Sequence, residues 1–352
     1  LAEHGPDGVV YADIDATTLA GLTDLYLEYG AVAVEEMERQ LRSEVRRQAV
    51  IMASVQLLQT AKNSGDYGAG IEAVLDASRS FRVSGSVNAR SAAESAIQRW
   101  QDERDGKRRK PVTINDDPSF PVFAGGGHYI LAARTAVGKT ALALQWGLQA
   151  ARNGHKVVLY SMEMPLWSIG ARLISQVTGY PVHTLSKHED LTAALEQLDV
   201  PLMIHDDIDH AEAIYAHMRS AHADLYIVDY LGLVVSAHRE ERRELEVARI
   251  SHSLKRLAVK LDRPVLTLAQ INRQAETKKD RRPELAQLRD SGSIEQDADA
   301  VMLLWRKPDS YGTPTAEGEI VVAKNRQGPT RPWPLHFEGS AMTFKIGWEA
   351  KL

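Results

Sequence analysis

Residues 134–140 read Arg-Thr-Ala-Val-Gly-Lys-Thr, between the apolar run His128–Ala133 and an alanine-rich segment that starts at Ala141. A strand, a loop and a helix in that order aim backbone N–H groups and a helix N-terminus at one point, where they cradle phosphate oxygens. In that frame the Lys139 ammonium reaches the β- and γ-phosphates and the Thr140 hydroxyl ligates Mg2+. Nucleotide contacts are expected from Ala133, Arg134, Thr135, Ala136, Val137, Gly138, Lys139, Thr140 and Ala141. The first position of the motif is Ala133, where the usual pattern has glycine. Gly-Lys-Thr alone is a weak signal and takes its weight from what surrounds it.

Three polar residues downstream end apolar runs or closely follow them. Asp229 follows Leu225-Tyr226-Ile227-Val228, so a buried strand delivers one carboxylate at its C-terminal end. Beside a phosphate loop, that carboxylate holds Mg2+ through water; a strand-end aspartate capping a turn is the plainer alternative. Glu163 follows the run Lys156–Ser161 in Ser161-Met162-Glu163-Met164-Pro165. Parallel strands present their C-terminal ends to one crevice, so Glu163 is a candidate general base for the attacking water. Its plainer alternative is a carboxylate favoured by a helix N-terminus. Gln270 ends Val265-Leu266-Thr267-Leu268-Ala269, where an amide can sense the γ-phosphate or its water and pass that state to the loop that follows.

These residues need a scaffold that lines up strand ends. Short β-rich runs occur at His128–Ala133, Lys156–Ser161, Pro201–Asp206, Leu225–Tyr230, Pro264–Gln270 and Ala300–Trp305. Helical segments such as Leu245–Leu261 lie between most of them. Such alternation predicts an α/β domain over 121–352, with a central, mostly parallel sheet. The runs Glu319–Ala323, Trp333–Phe337 and Met342–Ile346, joined by tight turns, predict an antiparallel edge.

Upstream, residues 1–80 read as a smaller helical domain. Apolar residues from Val34 to Leu58 recur at helical spacing, and Asn63-Ser64-Gly65-Asp66 breaks the pattern before a second helix. The result is a helical hairpin, able either to pack against a copy of itself or to serve as a plain cap. Residues 81–120 read as a linker in which Asn88 caps a helix from Ala89 to Trp100. Ala92, Ala96, Ile97 and Trp100 share a face of that helix with no core nearby, so it is expected to dock elsewhere. The basic run Lys107-Arg108-Arg109-Lys110 reads as a solvated linker.

Composition narrows the class without naming it. The chain has 352 residues, no cysteine and a formal net charge of −5. Disulfides and thiolate metal sites are excluded, and nucleic-acid contact must come from local basic loops. No apolar run is long enough to span a membrane, and the first residues lack a secretory pattern, so a cytoplasmic location is expected. The chain starts without Met, as a fragment or processed chain would. The twelve histidines show no metal-ligand spacing.

Five segments taken together resemble one family. They are AARTAVGKT (132–140), SMEMP (161–165), the Asp229 strand with Tyr230-Leu231, LAQINR (268–273) and LRDSGSIEQDAD (288–299). Their order and spacing resemble the DnaB-type replicative DNA helicases, whose core is a RecA-like P-loop ATPase; the last string is the most specific. The resemblance is strong over 120–347 and looser over 35–105. It implies a hexameric ring that spends Mg-ATP on moving along single-stranded DNA, 5′ to 3′, while unwinding duplex. VAKNRQG (322–328) resembles the family's arginine-finger strand, which implies that Lys324 and Arg326 complete a neighbouring subunit's site. Arg273, Asp290, Ser291 and Gly292 fall where the family tracks DNA phosphates, with the charged loop Lys278–Arg282 between them. A primase and a helicase loader are implied partners, and the linker helix resembles the element that docks on the adjacent subunit. The rival expectation is a RecA-like recombinase or regulatory DNA-dependent ATPase that does not unwind; a ring with residual hydrolysis is disfavoured by intact Lys139, Asp229 and Glu163.

Overall fold

A strand that is apolar at successive positions must bury both faces, which requires helices on both sides of its sheet. The computed structural model obeys that demand. It describes residues 88–108, 110–115, 120–235, 243–271, 282–285, 287 and 292–347. The chain divides into two units, Leu1–Ala92 and Ala93–Leu352. The hairpin expected over Val34–Leu58 lies outside the described residues.

Helices follow the order α1 Ala89–Arg104, α2 Lys139–Arg152, α3 Leu166–Thr178, α4 Thr192–Gln197, α5 Ala211–Ala221, α6 Arg243–Leu261 and α7 Gly292–Asp297. The strands are β1 His128–Ala133, β2 Val157–Ser161, β3 Leu202–His205, β4 Leu225–Asp229 and β5 Val265–Gln270. β6 Ala300–Pro308, β7 Pro314–Asn325, β8 Pro332–Glu338 and β9 Thr343–Ile346 complete them. One sheet holds all nine in the order β3-β2-β4-β5-β1-β6-β7-β8-β9. β3 to β6 in that row are parallel, and β6 to β9 form an antiparallel meander.

The pleat divides the core in two. Tyr129, Leu131 and Ala133 pack with α2, whereas Ile130 and Ala132 pack with α5 and α6. Buried Trp146 of α2 meets Phe120 and Phe123 edge-on, with ring centroids 6.1 and 6.0 Å away. Asn88 caps α1 as expected, its Oδ1 accepting from the Ser91 N–H at 2.9 Å. The helix runs on to Arg104, where its basic neighbours find partners: Arg99 and Arg108 both pair with Asp262. Arg108 is therefore an anchored side chain rather than a solvated one.

Boundaries differ from expectation where a local contact overrides pattern. β9 starts at Thr343, because Met342 is in the left-handed region at φ 52°. β7 is far longer than Glu319–Ala323. Its Gly318, which reads as a strand breaker, is required where a Cβ would lie 2.2 Å from the Trp305 carbonyl oxygen.

Two measurements check this core. Trp146→Ala should lower unfolding free energy by about 3–5 kcal/mol in a denaturant titration, since it removes a fully buried aromatic. His128, at 0 % exposure, bonds Thr267 Oγ1 through Nε2 at 2.9 Å. Burial pushes its pKa from 6.5 down to about 4, against the opposing pull of Asp297 and Asp299. The folded chain therefore refuses a proton that the unfolded chain takes up. That stability is full above pH 6.5 and is lost as the pH falls to and through 4, about 3 kcal/mol in all. His128→Gln should flatten that part of the stability–pH curve.

Candidate functional site

Register decides which side chains meet. Ala133 pairs with Gln270 across β1 and β5, Thr267 with Val228 across β5 and β4, and Ser161 with Asp229 across β2 and β4. β2 and β4 thus end together, and β1 and β5 end together about two residues further along, on the same side of the sheet. The loops leaving them enclose a cavity of about 800 Å³ lined by the phosphate-loop residues, Glu163 and Gln270.

The 134–138 loop turns through two left-handed residues, Ala136 at φ 63° and Gly138 at φ 110°. Ala133 ends β1 in regular pairing, so the backbone freedom of a glycine is not needed there. The loop is held at three points. Gln270 Nε2 donates to Thr135 Oγ1 at 2.9 Å, and Arg306 Nη1 donates to the Val137 carbonyl at 3.3 Å. The third point is Gly138 itself, which packs under the Phe344 ring.

Asp229 is 1 % exposed, and neither carboxylate oxygen has a hydrogen-bond partner among the described residues. Burial raises its pKa; Lys139, the Thr140 hydroxyl and Arg172 pull it back down. Lys139 is pushed the other way by its own burial and supported by Asp229 and Glu163. Its Nζ lies 4.4 Å from the centre of the Tyr230 ring, which follows Asp229 across a cis peptide bond. Glu163 is exposed on the cavity wall just before α3. The residues assigned from strand ends therefore come together.

Three contributors escape the sequence pattern. Arg172 lies one helical turn after buried Ile169 in α3, and its charge faces Asp229 and Glu163. A cation on the buried stripe of an amphipathic helix is the available signal. Arg306 donates to the carbonyls of Thr315, Pro314 and Val137 and lies 4.0 Å from the Phe337 ring centre. Nothing in the local spacing marks it, because its partners are backbone oxygens. Tyr230 enters the pattern only as a neighbour of Asp229.

Lys324 and Arg326 are elsewhere. Lys324 pairs with Val301, which pairs with Ile130, and the Arg326 N–H donates to the Asp299 carbonyl at 2.8 Å. The end of β7 is thus level with the start of β1, roughly 16 Å along the strand from the phosphate loop. There the two cations cap the C-terminus of α7. Lys324 Nζ donates to the Glu295 carbonyl, and Arg326 Nη2 to the Gln296 carbonyl at 2.9 Å. Arg273, Asp290 and Ser291 lie outside the described residues, and Gly292 opens α7. Of the charged loop only Arg282 is described; it bonds Glu319 at 2.7 Å and lies over the Trp305 ring.

Residues 120–346 match the DnaB-like helicase C terminal domain family. A probable plasmid replicative DNA helicase of Chlamydia psittaci is 35% identical over 248 residues, 65% of this chain and 53% of the relative. The replicative DNA helicase DnaB of Leifsonia xyli subsp. xyli is 35% identical over 236 residues, 62% and 51% of the two chains. The chain thus spans about half the length of these relatives. Among solved structures, an ATPase domain superposes with a TM-score of 0.62 at 26% identity, covering 73% of this chain and 98% of its own. A DnaB-like replicative helicase solved with its interactions with primase gives 0.63 at 22% identity, covering 93% and 83%.

Gly138 offers a direct check of the loop. An added Cβ would lie 2.7 Å from Phe344 Cζ at a φ of 110°. Gly138→Ala should cost roughly 1–3 kcal/mol of stability. It should also weaken nucleotide binding on the order of tenfold in a fluorescent-nucleotide titration.

Proposed function

Because this chain belongs to the DnaB-like helicase family, we propose that it is the motor of a ring-forming replicative DNA helicase, coupling Mg-ATP hydrolysis to translocation on single-stranded DNA and to duplex unwinding. The observation that carries the reading is a division of labour across the sheet. One edge gathers Lys139, Thr140, Glu163 and Gln270 around a cavity, with Asp229 buried beside Lys139; the opposite edge carries Lys324 and Arg326.

The phosphate loop and the N-terminus of α2 bind the triphosphate through backbone N–H groups, with Lys139 against the β- and γ-phosphates. The donor set fits Mg2+: a buried carboxylate with both oxygens unpartnered, beside a hydroxyl. Asp229 and Thr140 would hold the ion, which supplies charge neutralisation on the phosphate oxygens. Glu163 accepts the proton of the attacking water, with the Arg172 charge beside it. Gln270, bonded to Thr135, links the phosphate loop to the chain that leaves β5 toward Arg273. That gives phosphate occupancy a route to the residues proposed to hold DNA, namely Arg273, Asp290, Ser291 and Gly292.

Lys324 and Arg326 cannot serve the cavity of their own subunit from the far edge of the sheet, so they serve a neighbour's. A site finished by the next subunit makes hydrolysis depend on assembly, and a hexamer is the assembly proposed. Ile97 and Trp100 of α1, at 50 % and 61 % exposure, are the apolar surface for docking on that neighbour. A primase and a loader are the proposed partners, as a structural relative is known with its interactions with primase. No described helix is long and apolar enough to cross a membrane; the cytoplasm is the proposed location.

Lys139→Ala should abolish ATP turnover. Arg326→Ala should bind nucleotide normally and lose turnover by roughly 10³-fold or more. Mixing the two should restore turnover at hybrid interfaces, and no restoration in intact rings would refute a trans arginine. The wild type should separate a forked duplex; DNA-stimulated ATPase without strand separation would identify a recombinase-like or regulatory ATPase instead.

A further inference from the structure

Asp299 has no part in the mechanism above, yet it is anchored by several hydrogen bonds beside Arg326. Its carboxylate is 13 % exposed. One oxygen, Oδ2, accepts from the His128 N–H at 2.7 Å and from Lys255 Nζ at 2.6 Å. Its backbone N–H donates to the His128 carbonyl at 2.8 Å, and its carbonyl accepts from the Arg326 N–H at the same distance. These contacts fix the residue and leave Oδ1 facing Arg326 Nη1 at 3.4 Å.

An arginine side chain that is half exposed samples many rotamers, and only a small share of them aim it correctly. The ion pair itself contributes little stability at that exposure. Its consequence is geometric. With the Gln296 carbonyl accepting on the other side, the guanidinium is held between a helix C-terminus and a carboxylate anchored by two donors. We propose that Asp299 is a positioning residue for the intersubunit arginine: it presets the direction in which Arg326 leaves β7, so that a neighbouring subunit meets a preformed donor. The proposal rests on reading Arg326 as a trans residue.

A second aspartate separates this role from a plain structural one. Asp224 precedes β4 as Asp299 precedes β6. It accepts from the Lys156 N–H at 2.8 Å, and its own N–H donates to the Lys156 carbonyl at 2.7 Å. Both aspartates cap the start of an adjacent parallel strand, but only Asp299 also faces Arg326.

If the proposal holds, Asp299→Asn in the full chain lowers ATPase kcat roughly 10- to 100-fold with KM and nucleotide affinity unchanged. Adding Lys139→Ala subunits, which carry Asp299 and Arg326 intact, then restores turnover at hybrid interfaces, as it does for Arg326→Ala. Asp224→Asn gives the share due to strand capping, and any turnover it loses stays lost on mixing. Should Asp299→Asn melt early, Asp299→Glu keeps the charge, displaces it by a methylene and is read in the same way. Wild-type turnover by folded Asp299→Asn, or a deficit that mixing fails to repair while Arg326→Ala is repaired, overturns the proposal. Full turnover by Arg326→Ala removes the trans reading itself, and the proposal with it.

Discussion

Burying the Asp229 carboxylate beside Lys139 is the constraint on which the rest of the domain turns. A carboxylate at 1 % exposure with two unpartnered oxygens is costly, and stays charged only if cations and dipoles are fixed around it. Lys139 meets that need and shares the problem, since its own burial disfavours its charge. Each ion is tolerable because of the other, with Arg172 and Glu163 adjusting the balance. Such an arrangement requires the strand ends to be held in one fixed register. The two-faced core supplies that rigidity, and the aromatic packing on Trp146 locks α2, which begins at Lys139, onto β1.

Parallel strands give the sheet two unlike edges, and the proposed mechanism uses both. On the C-terminal edge, loops and a helix N-terminus concentrate positive potential for a triphosphate. At the other edge the antiparallel meander turns the chain round and returns Lys324 and Arg326 beside the start of β1. On that proposal half of a site lies at each edge, which makes a head-to-tail interface, and such interfaces close into rings when the rotation allows.

Legibility in the sequence follows the range of the interactions. Strands buried on both faces announce themselves as apolar runs, and a polar residue that ends or closely follows such a run is conspicuous; Asp229, Gln270 and Glu163 are readable for that reason. β7 reads short because Pro314 and Gly318 look like breakers, although close approach to Trp305 is what demands the glycine. Arg306 leaves no local trace, and Asp299 is marked only as the end of the 288–299 string, with no role attached to it. Their partners are backbone groups and side chains brought together only by the fold, 8 to 171 residues away along the chain. The motif's missing glycine is a false alarm for a related reason: the left-handed turns fall at Ala136 and Gly138, after β1 has ended.

The N-terminal edge of the sheet has a logic of its own. A parallel strand starts with an N–H that its ladder leaves unpaired, and an acceptor must be found for it. β1 and the residue before β2 solve this alike, each donating to the aspartate that precedes a neighbouring strand, Asp299 or Asp224. A carboxylate recruited to satisfy one N–H has a second oxygen to spare, and on this edge that oxygen faces arginine: Arg326 at Asp299, Arg263 at Asp224. Asp262, in the turn after α6, likewise collects Arg99 and Arg108, an approach made possible by Gly125, whose Cβ would lie 2.6 Å from the Asp262 carbonyl oxygen. Arginines on this edge are thus aimed by acids that the backbone itself placed. The strand-start hydrogen bond comes with the sheet, and only the position of the arginine along the chain decides whether such a pair merely ties the domain together or points a cation outward at another subunit.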